Sequence, residues 1–579
     1  MTKKKPDRIK RRILILGIVF GIFFTAITAR AVHLHMFMGP WLSQKADGQV
    51  KRSVQSMGDR GSIFDTNLGK MALSIDMTSV GAHPSQIEDV AGTARALSEI
   101  LEVNRKELVS KLNSKVSFVW IERHVAPQKA NMIKDLDLAG VVFKNERSRV
   151  YPYRTLAAQV LGFSGVDGRG LEGLEFYYDR YLEGEPRQFK IIRDAMGRGL
   201  GLDVDINDDA HNGKNIILTI DRRVQYIAET ALAEAVIENR AESGIAVVMA
   251  PETGAILAMA HYPFFNPNTF GQYGRQSWRN RAVTDFYEPG STLKVFSAAA
   301  AIEYGVSGPH SILYCENGAY RVGRNTVHDI RPHQWLSLEQ IIKYSSNIGA
   351  AKLSEMIGSK NLYHTLKQFG FGERTGIDCP GETPGMLSSY QRWSKIDAAA
   401  IAFGQGISVS AIQLITAISA IANDGILMKP YIVDAITDKN GALIEKFDPL
   451  PVRRAVSPQT AATLKSILAR VTEDGGTGVN AALDGYRVCG KTGTAQKVGA
   501  SGTYERGRYV SSFVGFVPSQ NPEVAILVII DEPKKAHYGG VVAAPVFRQI
   551  AHQTLNYMNV PPEGRKDHLT VSKEEEVKG

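Results

Sequence analysis

The stretch ILILGIVFGIFFTAITA, residues 13 to 29, contains no charged residue. As a helix these seventeen residues cover about 25 Å, slightly short of the hydrocarbon core of a bilayer, and Arg30 can snorkel at the far end. Lys3, Lys4, Lys5, Arg8, Lys10, Arg11 and Arg12 precede it, opposed only by Asp7. A cationic flank of this kind stays in the cytoplasm, so everything after residue 36 is expected to be exported. A cleaved signal peptide is the competing reading, because Ala29-Arg30-Ala31 resembles a small-residue cleavage site. The apolar run is longer than a signal core, however, and an arginine occupies the site. The expectation is an uncleaved single-pass anchor over 13–36, in the cytoplasmic (inner) membrane, with a basic cytoplasmic tail at 1–12.

The same cluster accounts for most of the formal charge of +9. Beyond residue 12 the chain is nearly neutral for its size, which argues against nucleic-acid binding. At 579 residues and 44% hydrophobic it has ordinary globular composition and room for more than one domain. Cys315, Cys379 and Cys489 form no CxxC pair, so structural zinc is not expected. Cys489 reads as a small buried strand residue. Whether Cys315 and Cys379 pair is left open by their spacing. The histidines form no HExxH, and His33 with His35 fall at the membrane exit. No cofactor is implied.

Residues 37–212 read as a mixed α/β domain. They contain the turn and strand pattern GDRGSIFDTNLGKMALSI at 58–75, with helical patterns around 86–113 and 127–137. Gly168-x-Gly170-x-x-Gly173 has the form of a dinucleotide fingerprint but lacks the preceding apolar strand and the βαβ context. A glycine turn opening an amphipathic helix, LEFYYDRYL, is the better account. At 213 the texture changes. NIILTID reads as a strand, residues 222–240 as a long helix, and SGIAVVMAP and GAILAMAHYP as two strands. Helices dominate from 291 to about 425. Strands return in GYRVCGKTGTAQ, RYVSSFVGFVP and EVAILVIIDEP, followed by a helix at 545–558. The fold class is therefore α+β and multi-domain. Residues 213–560 form one domain around an antiparallel sheet, its edges supplied by distant segments and its faces covered by helices. Residues 561–579 read as a charged tail.

Three short motifs carry the chemistry. FYEPGSTLKVFSAAAAIE places Ser291 at the start of a helix with Lys294 one turn on, on the same face. Alone, Ser291 reads as a helix cap ahead of a nucleophile. YSSNIGAAKL adds Ser345 and Asn347, and CGKTGTAQ adds Lys491, Thr492, Gly493 and Thr494. Together and in this order, the three motifs resemble those of penicillin-binding proteins and related β-lactamases. A serine hydroxyl needs a base within reach, and Lys294 serves only when neutral, with burial and a nearby cationic Lys491 expected to lower its pKa. Ser345 can relay a proton to the leaving amine. Asn347 can hold the substrate or orient Lys294. Thr492 and Thr494 offer hydroxyls to a terminal carboxylate. Gly493 is expected to let a substrate strand lie close, and the backbone N–H groups of Ser291 and Thr494 to form the oxyanion hole.

The likeness extends over nearly the whole chain. RAVTDFYEPGSTLK, YCENGAYRVG, HQWLSLEQIIKYSSNIGAAKL, GQGISVSAIQL and YGGVVAAPVFRQIA resemble class B penicillin-binding proteins, specifically division transpeptidases of the FtsI type, and GDRGSIFD and GRGLEGLE resemble their pedestal motifs. The resemblance implies a pedestal (dimerisation-type) domain at 37–212 and a transpeptidase domain at 213–560. It implies acylation of Ser291 by a D-Ala-D-Ala stem peptide, cross-linking by a neighbouring amine, and β-lactams as inhibitors. Implied partners are a polytopic septal glycan polymerase and other division membrane proteins. The alternatives are an elongation-type transpeptidase, a carboxypeptidase or β-lactamase, a sensor, and an inactive scaffold. No deacylating Glu-x-x-Leu-Asn lies between Asn347 and Lys491, no effector domain is visible, and 37–210 shows no glycosyltransferase motif.

Overall fold

The computed structural model describes residues 6–193, 199–202, 211–499 and 503–563. Lys3, Lys4 and Lys5 of the basic tail, and the charged tail from residue 564 onward, lie outside the described residues. The chain divides into two compact units.

The first unit takes in the N-terminal residues through Asp59 and the segment Gly184–Asn212. Its helix Pro6–Val32 passes into a π-helical turn at His33–Phe37, followed by the helix Gly39–Val50. Among the described residues, one helical span, Arg8–Phe37, is long and apolar enough to cross a membrane, and its side chains are not buried. It begins before the apolar run because arginine and lysine are themselves good helix formers, so the charge boundary does not end the helix. A three-stranded antiparallel sheet of Lys51–Met57, Pro186–Arg193 and Gly199–Leu202 completes this unit.

The second unit holds two larger sheets. One has seven strands, with Leu443–Lys446, Val433–Thr437, Asn215–Leu218, Ile63–Phe64, Lys70–Ala82 and Val119–Val125 in spatial order, and Val141–Val150 also paired to Lys70–Ala82. NIILTID therefore does not join the sheet that carries the chemistry. Its strand pairs parallel to Ile63–Phe64 and antiparallel to Val433–Thr437, so one sheet runs across residue 212. Helices Val90–Leu101, Arg105–Leu112 and Pro127–Asp135 help enclose a small core of Val80, Leu97, Leu108, Ile121 and Ile133 on this sheet.

The two glycine-bearing motifs meet there. Arg60 of GDRG binds Glu175 of GLEGLE at 2.6 Å and Asp179 at 2.7 Å. Arg149 reaches the same Glu175 at 2.6 Å, and Tyr151 Oη donates to it. Glu175 is fully buried, and the two guanidiniums hold its carboxyl below the usual range against the opposing effect of burial. The segment after Gly173 forms two short helices, Gly173–Tyr177 and Asp179–Leu182, rather than one. Asp179 is engaged by Arg60 and by the N–H of Gly170, while Tyr178 Oη donates to Asp378.

The other sheet has five antiparallel strands in the order Ile256–Tyr262, Ser243–Met249, Val524–Asp531, Tyr504–Val517, Cys489–Val498. Val524–Asp531 is buried at every residue and lies in the middle, which explains its continuous apolar run. Helices Arg222–Glu238 and Ala544–Tyr557 pack on one face. Ala411–Ala422, buried at all twelve positions, packs on the other with Pro458–Ala469 and Lys294–Glu303. This is the expected antiparallel sheet between helices, with its edges from opposite ends of the domain. Cys315, Cys379 and Cys489 are free and buried.

Candidate active site

The Ser291 turn is built by backbone constraints. Gly290 sits at φ +56, its N–H donates to Gly404 O at 3.0 Å, and a Cβ there would meet Thr494 O at 3.1 Å. Both the dihedral and the space favour glycine. A 3-10 turn, Gly290–Leu293, leads into the helix Lys294–Glu303. Ser291 is no helix cap: its Oγ lies 3.1 Å from Lys294 Nζ.

Lys294 is completely buried, yet its amine meets four oxygens. Ser345 O lies at 2.6 Å, Asn347 Oδ1 at 2.7 Å, Ser291 Oγ at 3.1 Å and Ser345 Oγ at 3.2 Å. Burial pushes the ammonium down to about 7, with Asp329 acting weakly in the opposite sense. A neutral amine has two hydrogens and one lone pair. With both hydrogens donated to the carbonyl oxygens of Ser345 and Asn347, the lone pair is left for the Ser291 hydroxyl. Lys491, also fully buried, donates to Ser345 Oγ at 3.0 Å. Its ammonium is pushed well down by burial and then by Lys294. Burial thus lowers both lysines, and repulsion between the two neighbouring amines opposes protonating both at once.

Ser345 reaches both lysines because it adopts φ +61 between the helices Leu338–Tyr344 and Asn347–Ile357. A serine held there stores about 1 kcal/mol or more of strain and needs surrounding structure to hold it. Ser346 provides part of that support, accepting from Gly349 N–H as the cap of the second helix and donating to Asp329. Asp329 also accepts from the N–H groups of Asn347 at 2.5 Å and Ile348 at 3.1 Å. Asp329 belongs to none of the three motifs, and the helix end it caps lies eighteen residues away.

Cys489–Val498 forms the edge of the five-stranded sheet. Thr492 and Thr494 line an open cleft of about 530 Å³ together with Ser291, Ser345 and Asn347. Thr494 Oγ1 accepts from Gly539 N–H at 3.1 Å, which leaves its own hydrogen for a ligand. Thr494 O lies against Gly290. In an extended strand the N–H of a residue projects to the same side as its C=O, so Thr494 N–H also faces the serine turn. Ser291 N–H, in the first turn of its helix, has no intrahelical acceptor. Gly493 is constrained from within the fold as well. A Cβ there would run into Ser512 Oγ on the next strand and approach Pro289 O at 3.0 Å, so it allows the serine turn to pack on the sheet. Glu288 neither caps a helix nor pairs with a cation. It accepts from Gly406 N–H at 2.8 Å and from Tyr504 Oη at 3.1 Å.

The arrangement brings together Ser291, Lys294, Ser345, Asn347 and Lys491, with Thr492 and Thr494 beside them. Known proteins carry related sequences. A penicillin-binding protein transpeptidase domain matches residues 244–552, and a penicillin-binding protein dimerisation domain matches 55–218. The probable peptidoglycan D,D-transpeptidase PenA of Neisseria meningitidis is 35% identical over 96% of this chain and 95% of its own. The peptidoglycan D,D-transpeptidase FtsI of Escherichia coli is 32% identical over 96% and 93%. The crystal structure of penicillin-binding protein 3 from Mycobacterium tuberculosis, complexed with aztreonam, superposes with a TM-score of 0.69 at 29% identity. That match covers 88% of this chain and 98% of that one. With both domains matched in order and relatives this similar along nearly its whole length, the chain belongs to the penicillin-binding proteins, as a class B D,D-transpeptidase of the FtsI type.

Proposed function

We propose that the chain cross-links peptidoglycan during septum synthesis through an acyl-enzyme on Ser291. The observation that carries this reading is the Lys294 amine, completely buried, 3.1 Å from Ser291 Oγ and hydrogen-bonded by two carbonyl oxygens. Ser291 Oγ attacks the carbonyl between the two D-alanines as its proton passes to Lys294. The N–H groups of Ser291 and Thr494 stabilise the oxyanion. The C–N bond then breaks, and Ser345, in contact with both lysines, hands the proton to the departing amine. Thr492 and Thr494 hold the terminal carboxylate, Asn347 orients Lys294, and Lys491 supplies positive potential when it carries the proton. β-Lactams acylate the same serine.

The septal assignment draws on the FtsI relatives and on Glu-Pro-Gly before the serine. Depletion in a rod-shaped host is expected to give filaments with unclosed septa, and a fluorescent fusion to gather at midcell late in the cycle. Cells that round up while still dividing would move the protein to the elongation machinery and leave the serine chemistry intact.

The reading also places the apolar part of Arg8–Phe37 across the cytoplasmic membrane as the anchor at 13–36, with the basic residues 1–12 inside and both domains, the pedestal at 37–212 and the transpeptidase at 213–560, outside. A polytopic septal glycan polymerase and other division membrane proteins are the proposed partners. The mature protein should keep its N-terminus and stay with membranes through a high-salt wash. N-terminal sequencing that starts near Val32 would overturn the anchor.

A further inference from the structure

We propose that Glu288 is a positioning residue for the donor peptide, setting the gap between the loop 403–406 and the edge strand where the donor runs past Ser291. The proposal rests on the reading that Ser291 forms the acyl-enzyme. The serine turn adjoins the strand at Thr494 O and Ala495 Cβ, the two groups nearest a Cβ on Gly290. A terminal carboxylate held by Thr492 and Thr494 lies to one side of that contact. The rest of the donor therefore continues the other way, past Ala495. Cys489–Val498 is the last strand of its sheet, so it is open there. Backbone groups alternate in direction along a strand, so those of Gln496 face the same way as those of Thr494 and offer the donor its next pairing.

Three segments meet at Glu288, and each bounds this part of the cleft. Glu288 lies on the approach to the serine turn. Its Oε1 accepts from Gly406 N–H at 2.8 Å and its Oε2 from Tyr504 Oη at 3.1 Å. Gly406 closes the loop that brings Phe403 and Gln405 into the cleft beside Ser291. The same loop touches the serine turn at Gly404, whose O accepts from Gly290 N–H at 3.0 Å and whose own Cβ, were there one, would run into Gly290 O. Gly404 and Gly406 have φ of +90 and +73, so the backbone on either side of Gln405 is fixed by a contact and by a turn that suits glycine. Tyr504 opens the strand Tyr504–Val517 and pairs with Val498, the last residue of the edge strand. One carboxylate thus ties both walls to the stretch that carries the nucleophile. Its two oxygens let it serve both donors at once, where an amide has only one accepting oxygen. The serine turn has supports of its own. Tyr287 exchanges backbone hydrogen bonds with Val409 at 3.0 and 2.9 Å, and Gly290 is held by Gly404. Glu288 is therefore free to act on the walls rather than on Ser291.

The test uses the full chain in detergent and two donors, a stem pentapeptide and N-acetyl-D-Ala-D-Ala, which has little to lay beyond Ala495. Release of D-alanine gives kcat and KM for each. Glu288→Ala should raise KM for the pentapeptide about tenfold, the loss expected when hydrogen bonds to a charged group are removed. Its kcat, and both constants for the short donor, should change less than about twofold, as when binding shared by ground and transition states is lost. Glu288→Gln should recover part of the loss. Tyr504→Phe should raise KM for the pentapeptide by a smaller factor, and adding it to Glu288→Ala should cost nothing further, because the two side chains act as one latch. A fall in kcat with both donors would mean that Glu288 serves the serine turn, and would overturn the proposal. Equal rises in KM for the two donors, or no rise for either, would overturn it as well. So would additive losses from the two substitutions, the mark of separate contacts. Failure of the wild type to take up penicillin on Ser291 would instead remove the reading on which it rests.

Discussion

Ser291→Ala should abolish covalent penicillin labelling outright while the chain keeps its fold. The loss is of kind rather than degree, since Ser291 carries the hydroxyl proposed to form the acyl bond on the turn whose own N–H is proposed to bind the oxyanion. Ser345 Oγ touches both lysines, and it lies on the turn between two helices rather than on the Gly290–Leu293 turn. The fold should survive because, among the described residues, the Ser291 hydroxyl is hydrogen-bonded to the Lys294 amine alone, and Thr292, not Ser291, donates to Pro289 O. Mass spectrometry of the penicillin-treated wild type should find the adduct on the peptide containing Ser291. An adduct on any other serine would sink the assignment.

Lys294→Ala should lower the acylation rate by about a thousandfold or more, within the range expected when a general base is removed. Some of that loss would be structural, because Ser345 O and Asn347 Oδ1 would face an empty space. The pH profile of the wild type separates the two contributions. Burial sets the Lys294 ammonium near 7, so below that pH the amine holds a third hydrogen and has no lone pair for the serine. Acylation should therefore rise with pH through about 7 and level off above it. A rise centred near 4 would point to a carboxylate base and count against Lys294. The midpoint belongs to the pair, since the Lys491 ammonium is lowered in part by Lys294.

The parts legible in the sequence were those where chemistry or solvent limits the residue types. The uncharged run at 13–29 announced its helix, and serine, lysine and asparagine at fixed spacings announced the site. Strands such as Val524–Asp531 were legible as strands from their apolar runs. Their partners were not, because period-2 patterning reports a buried face and says nothing of which strand lies alongside. Hence Asn215–Leu218 was read correctly as a strand and given to the wrong sheet. The partners of Asp329 and of Glu288 escaped for a related reason. Each carboxylate binds groups brought near it only by the tertiary fold: helix N–H groups eighteen residues on for Asp329, and Gly406 and Tyr504 for Glu288. Ser345 was found by motif, but its left-handed backbone follows from the two helices it joins and has no mark in composition.

The place of Cys489–Val498 at the margin of its sheet bears on what the enzyme can distinguish. A ligand laid along an open strand is gripped through its own amides, which every extended peptide possesses. Such a grip is blind to most of what the ligand's side chains say. On the proposed mechanism, discrimination has to come from the ends: a carboxylate for Thr492 and Thr494, and an amide carbon that comes to rest over Ser291. A small rigid molecule offering those two groups at the right separation passes the same inspection as a long peptide does. Susceptibility to such mimics is then a property of reading along an edge, and it cannot be removed without also closing the edge to the substrate.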